Sequence, residues 1–92
     1  MNNAPATTAA EIAESIEIAA EEIGAEIAHG NGGSRLADAP ARYTLGAVKG
    51  DRAILVAALG REPTAAEVAL LLAAIPAAVG EAFSAMAPGC DA

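Results

Sequence analysis

Between residues 8 and 30 the apolar positions recur at helical spacing. At about 100° per residue, Ile12, Ile16, Ala19, Ala20, Ile23 and Ile27 share one stripe. Glu11, Glu14, Glu17, Glu21 and Glu22 cover the opposite side, and Glu26 sits at the stripe's edge. Thr7 or Thr8 can serve as N-cap, and Glu11, three residues after Thr8, completes a capping box that starts the helix. Gly30 stands where a left-handed C′ residue ends one, and His29 in the last turn suits the negative end of the dipole. The pattern predicts a single amphipathic helix with its Ile stripe on a core and its glutamates outward. Ile18 is the exception, an isoleucine on the acidic side.

The middle of the chain changes character. "RYTLGAV" and "RAILVAAL" flank "KGD", and Gly50-Asp51 fits a two-residue hairpin loop. One strand face would carry Tyr43, Leu45, Ala47, Ile54, Val56 and Ala58, the other Thr44, Gly46, Val48, Ala53, Leu55 and Ala57. β-branched residues coincide with the turn signal, which favours the hairpin. The competing pattern makes residues 51–59 a short helix with Asp51 as N-cap and Gly60 as C′. Further on, Thr64 and Glu67 form a second capping box. From there Val68, Leu71, Leu72, Ile75, Val79, Phe83 and Met86 lie on one stripe whose register runs through Pro76. That predicts one helix, kinked at Pro76 and ending near Pro88.

The expected architecture is therefore α+β, in the order α-β-β-α, with two amphipathic helices packed on a hairpin. An all-α small helical domain is the alternative. Residues 8–87 would form one domain between flexible tails at 1–7 and 88–92. Both hairpin edges lack proline and would be left unpaired, which points to a homodimer. Its interface would use the apolar second face, through Val48, Ala53, Leu55 and Ala57.

Composition narrows the picture. The chain has 92 residues, 54% of them hydrophobic, with one Phe, one Tyr and no Trp. One aliphatic, alanine-rich core is all that such a chain can build. The opening "MNNAPATTAA" has neither the basic nor the apolar region of a secretion signal. The most apolar run, between Glu67 and Glu81, is shorter than the roughly 20 residues of a spanning helix. A soluble cytoplasmic protein is expected, and the lone Cys90 suits a reducing compartment.

Candidate chemistry is sparse. His29 is the only histidine, and a helix-capping role accounts for it. One His and one Cys far apart in sequence do not make a metal site, and no cofactor is implied. "HGNGGSR" is glycine-rich but follows a helix and lacks the Lys-Ser/Thr of a P-loop. Ser34 follows Gly33 and precedes Arg35, unlike the Asp-Ser-Leu setting of the phosphopantetheine serine in acyl carrier proteins.

Charge carries the remaining signal. Residues 1–34 hold six acids and no Lys or Arg. All five basic residues, Arg35, Arg42, Lys49, Arg52 and Arg61, fall between 35 and 61 against Asp38 and Asp51, and four more acids follow. A net charge of −7 opposes direct nucleic-acid binding. The expected function is a small non-catalytic interaction module. It would dock Glu11, Glu14, Glu17, Glu21 and Glu22 on a basic protein surface, as an inhibitor or chaperone. Short acidic phage-type inhibitors of nucleic-acid enzymes are an analogy of character. The alternative is a small enzyme, or an accessory subunit of one, with a ligand near the glycine loop, Ser34 or His29.

Overall fold

The computed structural model describes residues 5–30, 36 and 39–86. Helix α1 spans Ala9–Ala28, a single 3-10 turn covers Pro40–Arg42, α2 spans Asp51–Leu59 and α3 spans Ala65–Met86. Among the described residues there is no strand. The expected α+β fold is thereby corrected to an all-α domain.

The outer helices begin as their sequences dictate. Thr8 accepts from the Glu11 backbone N–H at 3.1 Å, and Glu11 returns the bond to the Thr8 N–H at 3.1 Å. At α3 the same exchange joins Thr64 and Glu67, at 3.2 Å and 2.8 Å. Helix α1 stops where Gly30 takes φ 89°, a conformation closed to most side chains. Helix α3 continues through Pro76, which is exposed and lies on the side away from the core.

The hairpin reading fails for a specific reason. Residues 51–59 form a helix, and Asp51, Leu55 and Leu59, spaced i, i+4 and i+8, are all buried on one face. Asp51 is the first helical residue and Gly50 the N-cap, so the two-residue turn signal is the helix's own entry. Gly60 at φ 77° closes it, with its N–H bonded to Val56 O at 2.8 Å. Val48 and Leu55, expected at a dimer interface, are 1% and 0% exposed and belong to the core. Ala53 and Ala57 are exposed, but on α2 and not on a sheet. Edge-to-edge pairing of hairpins has no strands to work with.

Helix α1 lies mainly on α3 and secondarily on α2. Ile16, Ala19, Ala20, Ile23 and Ile27 are buried, against Leu71, Ile75, Ala78 and Val79 of α3 and Leu55 and Leu59 of α2. Phe83 departs from its stripe and is 38% exposed. The α1–α3 crossing is close because small residues meet there. A Cβ built on Gly24 would stand 2.8 Å from the Ala78 Cβ and 2.9 Å from its backbone carbon.

Two glycine substitutions should therefore act in opposite directions. Gly24→Ala should destabilise by about 1–3 kcal/mol, because backbone must move to admit the methyl. Gly80→Ala meets nothing within 4 Å and should stabilise by about 0.5–1 kcal/mol through helix propensity. Urea melts of the two variants, run at low protein concentration, check both signs.

Candidate interaction surface

Two polar clusters hold α2 and the starts of α1 and α3 in place. In the first, the buried Asp51 carboxylate accepts from Tyr43 OH at 2.7 Å, from the Gly46 N–H at 2.8 Å and from the Val48 N–H at 3.4 Å. A buried charge is tolerable when donors surround it in this way. Burial, and then the carboxylate it donates to, push the Tyr43 phenol well above the ordinary tyrosine value. In the second, Arg61 binds Glu67 in fork geometry at 2.8 Å and 2.6 Å and donates its Nε–H to the Ala6 carbonyl at 3.1 Å. The Ala6 N–H in turn donates to Leu59 O at 2.8 Å. Ala6, within the stretch expected to be a tail, is buried and bonded at both its polar atoms.

These clusters absorb basic charge. Arg61 pairs with Glu67, and Arg52 pairs with Glu62 across exposed surface. Among the described residues, no ion pair or side-chain hydrogen bond reaches Glu14, Glu17, Glu21 or Glu22. Glu11 is different, because its carboxylate is engaged by the Thr7 and Thr8 N–H groups at 3.0 Å and 3.1 Å. It is a cap first. The acidic face that remains consists of four carboxylates on the outer ridge of α1.

A groove runs along each side of that ridge. Between α1 and α3, Ala13, Ala20, Ala74 and Ala77 line a space of about 250 Å³ overlooked by Glu17, Glu21 and Glu81. Between α1 and α2, Ala53, Ile54, Ala57 and Ala58 line a shallower groove with Ile18 and Glu22. A separate pocket that shares Ile18 and Ala58 with it is bordered by Glu11 and Glu14. Ile18 is 51% exposed and stands four residues from both Glu14 and Glu22. The sequence marks Ile18 as out of place. Its neighbours Ala53 and Ala57 become recognisable as one patch with it only when α2 is a helix.

The other candidates separate. His29 is exposed, with Nδ1 2.7 Å from Ala25 O at the end of α1. Ser34 and Cys90 lie outside the described residues. Among the described residues no group of three or more His, Cys, Asp or Glu side chains is placed to hold a metal ion. By length and composition α3 is apolar enough to cross a membrane, longer than the apolar run between its two glutamates. No protein-family model matches the chain, and no curated protein or solved structure matches it significantly.

The Arg61–Glu67 pair should be visible in acid. The Arg61 guanidinium, followed by the Thr64 N–H, holds the Glu67 carboxyl down to about 2, against an ordinary value of 4.5. A depressed folded value means stability that is complete above pH 4.5 and lost as pH falls towards 2. The urea midpoint should therefore decline across that window, and Glu67→Gln should flatten the decline. Some slope should persist from Glu11, whose carboxyl is also held low by backbone N–H groups. Equal slopes for wild type and Glu67→Gln would exclude the ion pair as a source of acid sensitivity.

Proposed function

We propose that the protein is a non-catalytic interaction module that docks the outer ridge of α1 on a basic surface of another protein, in the manner of a small inhibitor or chaperone. One observation carries the reading: Ile18 is a half-exposed isoleucine set between unpaired glutamates beside the apolar wall of α2. An interface needs a desolvated apolar anchor for affinity and a charged rim for orientation and encounter rate. Ile18 with Ala53, Ile54 and Ala57 offers the first. Glu14, Glu17, Glu21 and Glu22 offer the second, with no Lys or Arg on α1 to oppose a basic partner.

The fit implies a partner with an apolar pocket ringed by Lys or Arg. A surface that otherwise holds nucleic acid has that charge, and an acidic helix would compete for it.

Capture of a partner by the immobilised protein should weaken as salt is raised, because rim charges are screened within about 10 Å at 0.1 M. Ile18→Ala and the double variant Glu14→Lys/Glu22→Lys should each abolish capture. Both changes are on exposed positions and should alter stability by no more than about 0.5 kcal/mol each, as urea melts will show. Undiminished capture by the folded variants would place the docking surface elsewhere.

A further inference from the structure

We infer that the outer face of α3 is a self-association surface, on which a second copy of the chain packs its own α3 antiparallel about a two-fold axis near Ala73. Between Glu62 and Glu81 the only charged residue is Glu67, and it is buried. From Ala65 to Gly80 every exposed position, Leu70, Ala73 and Pro76 among them, is uncharged and without a polar side chain. A surface helix ordinarily carries charged or polar residues on its outer side, and one apolar all round is ordinarily covered.

Charge selects the occupant. Two chains of net charge −7 repel one another everywhere that α1 is presented, and least where α3 offers no charge. A lipid surface suits the face less well. Helices that lie on membranes carry Lys and Arg beside their apolar face, whereas α3 has neither and the ridge of α1 is acidic. Crossing a bilayer would strip Leu71, Ile75 and Val79 from the core that they fill.

The face is also complementary to itself. An axis at Ala73 sets Ala66 against Gly80, Ala69 against Ala77 and Leu70 against Pro76 of the second copy. Leu70, 52% exposed, is then a knob over small residues, and Phe83 reaches the chain before the second copy's α3, at Pro63. Antiparallel helices oppose their dipoles and keep the two Glu81 side chains at opposite ends. A strip about 30 Å long and one helix wide covers roughly 300 Å² per copy, small for a specific interface. The dimer should accordingly be weak and concentration-dependent.

Sedimentation equilibrium of the full chain, from low to high micromolar concentration, reads the association directly. The mass should rise from monomer to dimer, and the dimer should tighten as salt screens the repulsion, opposite to the salt response of partner docking through α1. Ala73→Glu puts two carboxylates side by side at the axis and should weaken the dimer at least about tenfold with helical content unchanged. Should that variant fail to fold, Leu70→Ala, also exposed, must show the weakening instead. A chain that stays monomeric at high salt overturns the inference, as does a dimer indifferent to Ala73→Glu. Binding of the monomer to phosphatidylcholine vesicles would overturn it too, and would name a membrane as the occupant.

Discussion

Where α1 passes α3, Gly24 leaves no room for even one carbon between itself and Ala78. That approach compensates for a composition poor in large side chains. With one Phe, one Tyr and no Trp, the core cannot be filled by aromatic bulk. It must be closed by bringing backbones together, which lets Ile16, Ile23, Ile75 and Val79 all be buried in one cluster. Small residues at the crossing are a packing requirement. They also fix which way α1 is rotated, and so which of its residues become the outer ridge.

Helix α2 is too short to be stable by propensity alone. Its place depends on groups outside it. Asp51 gathers Tyr43 and the Gly46 and Val48 N–H groups around the helix entry. Arg61 joins the exit to Ala6 and to the start of α3. The same contacts account for two otherwise costly features, a buried aspartate and a buried glutamate, because each carboxylate is surrounded by donors. The result is a fixed wall of Ala53, Ile54 and Ala57 beside Ile18.

Electrostatics then divide the surface. Arg52 and Arg61 are engaged by acids of the C-terminal third, so the glutamates on the ridge of α1 keep their charge for the outside. Helix α3 has the opposite character, a long side without charge. A molecule with one strongly acidic edge and one neutral edge can meet two kinds of surface without either competing for the other's residues.

The sequence by itself determined α1 and α3: their N-terminal caps, the apolar stripe of α1, that of α3 as far as Val79, and the passage through Pro76. Each of these signals lies within a few residues of the position it governs, and a 3.6-residue period sustained over five turns has no rival reading. It also exposed Ile18 as misplaced, since a single residue off the stripe is visible without knowing what stands beside it. Residues 43–59 were legible in two ways. Gly50-Asp51 serves a hairpin loop or a helix entry equally well, and a nine-residue apolar run is too short for its period to choose. Only the tertiary structure decided between them. Asp51, Leu55 and Leu59 can all be buried together as a helix face against α1, while the aspartate's charge is met by Tyr43 and by backbone donors. No local pattern encodes the arrival of those partners.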